Sequence, residues 1–351
     1  MERNEHIPVR NLYYLLAYAF RSLHLAAWQK AGTEPFRDVQ NLFAALFAEG
    51  IGWQLKQGLP RDYVRRRDDL PGLRGRLYMP GVIADRAARR PRLACEYDEF
   101  SENHLLNRIL RAAAEALLRA PRAERQYKVI LRRELAYFSG VNAADLSRVP
   151  WSRLAFPRRG GHVEWLVHLA ELLTKGLLMT EERGGVRLRE TLTDDALARL
   201  YEKFLLGWFR WHFPQLHPES RRIPWAAEGE EAYLPAMQSD VTLSDGTREL
   251  ILDAKCYSRT MQEHWGRRTQ HSHNLYQIFT YVKNREALPG PARTVSGLLL
   301  YARTDEAVQP AQTYRLAGSR IDVRTLDLTG DFSRIESALR RIAGEFFPAR
   351  A

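Results

Sequence analysis

Apolar residues at Leu12, Leu15, Leu16, Ala19, Phe20 and Leu23 recur at helical spacing, so residues 11–28 (NLYYLLAYAFRSLHLAAW) predict a helix. A second helix is expected over about 38–56. Between Asp62 and Tyr97 the pattern breaks into short runs punctuated by Pro71-Gly72, Gly75 and Pro80-Gly81, the signature of a small β-rich region. Residues 101–119 return to helical periodicity behind Ser101 as a cap, another helix fits 163–178, and Gly184-Gly185 marks a turn. The rhythm then changes. Thr193 and Asp194 cap a helix running to about Trp211, two strand-like runs follow, then a His/Arg-rich loop and a helix near 273–285. The apolar strand 296–302, a weaker strand near 321–327 and a last helix near 332–346 complete the chain. These runs predict an α+β protein: a helical and β-rich domain over residues 1–190, then an α/β domain over 191–351.

The strand-like runs carry the chemistry. In MQSDVTLSDGTRELILDAKCY (Met237 to Tyr257), Asp245-Gly246 between two alternating runs predicts a two-residue hairpin turn. That turn sets Ser244 opposite Thr247 and Asp240 opposite Ile251, so Ile251, Asp253 and Lys255 share a face with Asp240. Asp240 and Asp253 become diagonal neighbours, roughly 7–8 Å apart. Two carboxylates so placed can share a divalent cation, with Lys255 one pleat further on. Phosphodiester hydrolysis needs such a set: a cation to orient water and relieve charge, and a lysine to stabilise developing negative charge. The competing reading is a surface hairpin with ordinary acids. Glu202 lies at the edge of the apolar arc Leu197, Leu200, Tyr201, Phe204, Leu205 and Trp208, where it either reaches a metal site or snorkels to solvent.

Composition narrows the classes. The chain has 351 residues, 45% of them apolar, enough for a real core. No apolar run approaches the roughly 18 residues of a membrane span, and MERNEHIPVR lacks a signal-peptide core. Cys95 and Cys256 do not suggest a disulfide framework, and Cys256 should face away from Lys255. A soluble cytoplasmic protein with no membrane partner is expected. The net charge of +11 is concentrated: residues 61–160 hold 22 Lys/Arg against 12 Asp/Glu. That segment, Arg65-Arg66-Arg67 included, is either a nucleic-acid contact or a solvated surface. His264, His271 and His273 fit a basic loop better than a zinc site, because no cysteine lies near them. There is no GxxxxGK[ST], so no P-loop.

Several segments together resemble one known family. IPVRNLYYLLAYAF (Ile7 to Phe20), Leu73-Arg74-Gly75-Arg76-Leu77, CEYDEFSENHLLNRIL (Cys95 to Leu110), LYEKFLLGWF and the D…DAK hairpin resemble, in the same order, McrC, the nuclease subunit of the McrBC modification-dependent restriction system. The hairpin alone belongs to the wider PD-(D/E)XK superfamily. The resemblance implies a restriction-endonuclease-like domain over 191–351, with Asp240, Asp253 and Glu202 as metal-binding acids for Mg²⁺ and Lys255 as catalytic lysine. Gln277 and Tyr281, four apart, look like the Q-x-x-x-Y element of some such nucleases; Gln277 is either a site residue or a polar helix position, while Tyr281 packs. Two departures stand out: the second acid is Asp, and Ser239 occupies the usual proline position. The resemblance further implies cleavage of modified double-stranded DNA, stimulation of an McrB-like AAA+ GTPase that alone binds GTP, and docking of that partner on residues 1–190. The alternatives are a nuclease-derived adaptor that activates the AAA+ partner without cutting, or a stand-alone nuclease in repair or RNA processing.

Overall fold

The computed structural model describes residues 7–20, 36, 38–156, 161–180, 186–188, 192–229, 232–256, 261–264, 267–288 and 293–348. It divides into two compact units. One comprises residues 1–42, 175–177 and 189–351; the other comprises 43–174 and 178–188. The division therefore departs from a single cut near residue 190, because the first helix belongs with the C-terminal part.

That helix, α1 (Val9–Ala19), buries Leu12, Leu15 and Leu16 and is followed in chain order by α2 (Val39–Gln57), within which the chain passes between units. The second unit then continues with β1 (Asp62–Leu70), β2 (Arg76–Leu77), α3 (Met79–Ala87) and β3 (Leu93–Ser101). The strands form an antiparallel sheet in the order β1-β3-β2. Punctuation at Pro80-Gly81 predicts a turn, yet α3 forms there: proline lies in the first helical turn, where its missing N–H costs no bond. Ser101 ends β3 instead of capping the next helix, α4 (Leu105–Arg119), and its Oγ accepts from Asn103 N at 3.1 Å. α5 (Arg125–Leu135), which the apolar pattern did not reveal, packs against α4, as does α6 (Gly161–Leu172). A short antiparallel pair, β4 (Leu178–Thr180) and β5 (Val186–Leu188), completes the unit.

The first unit resumes with α7 (Asp194–His212), where Thr193 Oγ1 accepts from Ala196 N, the predicted cap. Short β6 (Arg222–Ile223) and β7 (Met237–Gln238) pair with each other. The main sheet takes β8 (Val241–Ser244) and β9 (Arg248–Lys255). β10 (Met261–His264) and β11 (Arg267–Gln270) form a separate pair, and α8 (Ser272–Ala287) follows. β12 (Thr294–Ala302), β13 (Gln312–Leu316), β14 (Ser319–Leu326) and α9 (Phe332–Phe346) close the chain. The sheet order is β13-β14-β12-β9-β8, with β9, β12 and β14 parallel and both edge strands antiparallel. α8 covers one face: Ile278 and Val282 join Ile251, Leu299, Ile321 and Val323 in a closed core. α1 packs on α7, where Gly207 is required because a Cβ there would stand 2.1 Å from the Tyr18 carbonyl oxygen. Asn11 Nδ2 donates to the carbonyls of Leu328 and Gly330, each at 2.7 Å, and Tyr14 stacks on Phe332 at 4.2 Å. No helix among the described residues is long and apolar enough to cross a membrane.

A candidate acidic site on the β8–β9 hairpin

The hairpin forms, but its turn lies one residue later than the sequence predicts. Val241 pairs with Leu252 and Ser244 with Glu249, so Asp245 and Arg248 flank a Gly246-Thr247 turn. Gly246 has φ +91° at the first central position, the sign a II′ hairpin demands and only glycine tolerates freely. The Asp245 carboxylate decides the matter: Oδ1 accepts from Thr247 N at 3.0 Å and Arg248 N at 2.7 Å, which fixes Asp245 outside the turn. Moving the turn by one residue shifts the register by two. Side chains keep their predicted faces, while Asp240 comes opposite Asp253 instead of diagonal to it.

Asp240 is half-buried and its Oδ2 accepts from Ala254 N at 2.7 Å, reaching across the hairpin. Asp253 and Lys255 are buried, at 2% and 7% exposure, and ion-paired through Oδ2 and Nζ. Proximity there is not alignment: that buried Oδ2 has no hydrogen-bond partner among the described residues. Lys255 Nζ does donate to Gln277 Oε1 at 2.9 Å, and Gln277 Nε2 donates to Tyr281 OH at 2.9 Å. Tyr281 thus packs, as expected, and also fixes which way the Gln277 amide points. Ser239, in place of proline, bonds Thr242 Oγ1 at 2.7 Å and Arg221 N at 3.1 Å, bracing the residue before Asp240.

Burial raises the affinity of Asp240 for its proton, and the facing Asp253 raises it further. Asp253 is likewise raised by burial, with Lys255 opposing. Glu202, half-buried on α7, is raised by burial and then by the charge of Asp253. The structure brings Asp240, Asp253, Lys255 and Gln277 together; Glu202 makes no hydrogen bond or ion pair with them among the described residues, though its charge reaches both aspartates. Three acids facing one lysine leave an excess of negative charge in a dry place. Among the described residues no three His, Cys, Asp or Glu side chains already form a metal-holding group. Sequence reasoning passed over His273 as a member of this neighbourhood. It lies exposed on the first turn of α8, four residues before Gln277, and its charge lowers the proton affinity of Asp253. The signal was the spacing His273, Gln277, Tyr281, one helical stripe. The side chain of His264 lies outside the described residues.

Comparison with known proteins decides the family. Residues 2–302 match the family described as "McrBC 5-methylcytosine restriction system component". The chain belongs to this family. Over 345 residues, 97% of this McrBC-family chain and 98% of the relative, it is 23% identical to the type IV methyl-directed restriction enzyme EcoKMcrBC of Escherichia coli (strain K12). Among solved structures it is similar to a chain in a refined half-complex from the tetradecameric assembly of Thermococcus gammatolerans McrB AAA+ hexamers with bound McrC. The identity is 19% over 95% of this chain and 76% of that one, with a TM-score of 0.46. A cryo-EM structure of the Thermococcus gammatolerans McrBC complex shares 22% identity over 57% of this chain and 59% of that one, with a TM-score of 0.39.

Proposed function

We propose that this chain is the McrC-like endonuclease subunit of a type IV restriction system. In this reading it cleaves the phosphodiesters of modified double-stranded DNA with Mg²⁺ and stimulates a partner AAA+ GTPase, and its first unit has the PD-(D/E)XK nuclease fold. The observation that carries the reading is Asp240 opposite Asp253, with Lys255 on the same face and tied to Gln277. The donor set suits Mg²⁺, a hard cation that prefers carboxylate oxygens, and Asp253 Oδ2, ion-paired with Lys255 but without a hydrogen bond among the described residues, is an atom such an ion would satisfy. Asp240 and Asp253 would hold it, with Glu202 the third acid. When bound, the ion supplies Lewis acidity and lowers the pKa of a bound water.

The remaining chemistry belongs to the chain. Lys255 Nζ is held in place by its ion pair with Asp253 and by the Gln277 carbonyl oxygen, which accepts its hydrogen bond. A buried ammonium fixed beside the scissile phosphate stabilises negative charge as the P–O bond breaks, without reorganising at that moment. Gln277 is a positioning residue: with its Nε2 occupied by Tyr281 OH, its oxygen faces Lys255. Partner docking falls to the second unit, residues 43–174 with 178–188, which lacks this acid set.

The test is cleavage of modified DNA by the chain with its GTPase partner and GTP. Asp253→Ala should lower cleavage about 10²-fold or more while GTP hydrolysis stays stimulated. Cleavage above a tenth of wild type would remove Asp253 from the metal site. Stimulation of GTP hydrolysis by a wild-type chain that never cuts would establish the adaptor reading instead.

A further inference from the structure

The basic excess of residues 61–160 comes to two different ends. On β1 the arginines are matched by acids on β3: Arg66 Nε meets Glu99 Oε2 at 3.0 Å, Arg67 meets Glu96 at 2.5 Å, and Arg65 lies 3.9 Å from Asp98. On α5 they are not matched. Arg125, Lys128, Arg132 and Arg133 form no ion pair among the described residues. The acid within the helix, Glu134, points inward at 5% exposure. Burial pushes its pKa up to about 8, Arg133 opposing and Glu49 adding, so near neutrality it offsets none of the outer charge.

Helical geometry gathers these cations. At 100° per residue the four fall within an arc of about 140°, opposite the buried Tyr127, Leu131 and Glu134. Arg125 and Arg132 stand about 10 Å apart along the axis, far enough to meet different phosphates of one strand. Between and beyond them the large exposed apolar side chains are Val129 and Tyr137. A protein-docking core would be depleted of charge and rich in aromatic area, whereas a DNA-binding surface is polar and strongly positive. We propose that the outer face of α5 binds the phosphate backbone of duplex DNA. The choice of partner rests on the nuclease reading above.

The experiment is equilibrium binding of a short duplex by the full chain in EDTA, so that no cutting intervenes, at about 50 and about 200 mM salt. Replacing Arg125, Lys128 and Arg132 together by Ala should weaken binding at least tenfold at the lower salt. The slope of log affinity against log salt should fall by about 2 to 3, one phosphate per lost cation. Arg125→Lys with Arg132→Lys should keep the slope, since the charge remains. Replacing Arg65, Arg66 and Arg67 by Ala should leave it unchanged. An unchanged slope in the α5 triple variant, or lost slope in the lysine variant, overturns the proposal. So does intact DNA affinity with lost binding of the GTPase partner, which would make α5 a protein-docking face. If wild-type chain binds no duplex at either salt, the nuclease reading fails too; if it binds and cuts while the α5 variant does both equally well, only the role of α5 fails.

Discussion

β9 and β1 are strands of similar length with charged residues at most of their ends, yet they treat charge in opposite ways. β1 has no buried residue, and its arginines pair with acids on β3. Glu96, which receives Arg67 and Arg76, is lowered to about 2 by those hydrogen bonds. β9 is buried from its second residue onward; Glu249 near its start is matched by Arg285 and Arg221, but at its far end the acids outnumber their cation, since Asp253 faces Asp240 with Lys255 beside them, and both carboxyls are pushed toward their protonated forms. Matched charge on a wet strand organises a surface. Unmatched charge in a dry strand is costly and persists where a cation or substrate will meet it. The same charge count along a sequence can thus mean either thing, and burial decides which.

Glu134 presents the sharpest challenge to that rule, because it too is a buried acid whose Oε2 has no hydrogen-bond partner among the described residues, with the charge of Glu49 adding to its rise but no buried lysine paired to it as Lys255 is to Asp253. It should therefore behave as a neutral group with no site attached. Its folded pKa of about 8 exceeds the ordinary value, so the stability it contributes is complete below the unfolded pKa and is lost as pH rises toward 8. Comparing wild type with Glu134→Gln by urea unfolding at acid and mildly alkaline pH should show the gap move by roughly 3 kcal/mol in favour of Gln at the higher pH. A gap independent of pH would mean that Glu134 is ionised in the folded state.

A smaller effect is expected on β9. Asp240→Asn keeps an oxygen for Ala254 N but removes one charge of the excess, so the metal-free chain should gain about 1–2 kcal/mol of stability while losing cleavage. A destabilised variant would show that the acids are balanced without a cation. The smallest effect belongs to β1. A double-mutant cycle on Arg66 and Glu99, both more than a third exposed, should yield a coupling of about 0–1 kcal/mol that fades in high salt. A larger, salt-insensitive coupling would collapse the contrast between the strands.

Much of this was legible beforehand. Faces survived the error in the turn, because the register moved by an even number and Asp240 still shares a side with Asp253 and Lys255. The turn itself was ambiguous, since Asp245-Gly246 and Gly246-Thr247 both supply a glycine; the choice fell to the Asp245 side chain, which periodicity does not weigh. α3 was hidden because Pro80 reads as a breaker in the middle of a helix and as a starter at its beginning. α5 was hidden because its inner face is closed by Glu134, an acid where a pattern search wants an aliphatic residue. The contacts of Lys255 with Gln277 and of Gln277 with Tyr281 were readable only as spacing, never as bonds.

The position of α1 has a consequence for how the molecule comes into being. Tyr14 stacks on Phe332 and Asn11 holds the carbonyls of Leu328 and Gly330, so α1 waits for partners translated 317 and 319 residues after Asn11. Residues 43–174, nearly continuous in sequence, can close on themselves while synthesis proceeds, but the unit bearing the acidic site joins residues 1–42 to residues 189–351 across them. Contacts of such sequence separation make for slow folding, and domains complete in the order their residues emerge. On the ribosome, the unit proposed to hold the cutting chemistry is therefore finished after the unit of residues 43–174, and loss of α9 would take the stacking partner Phe332 from α1 while leaving it on α7.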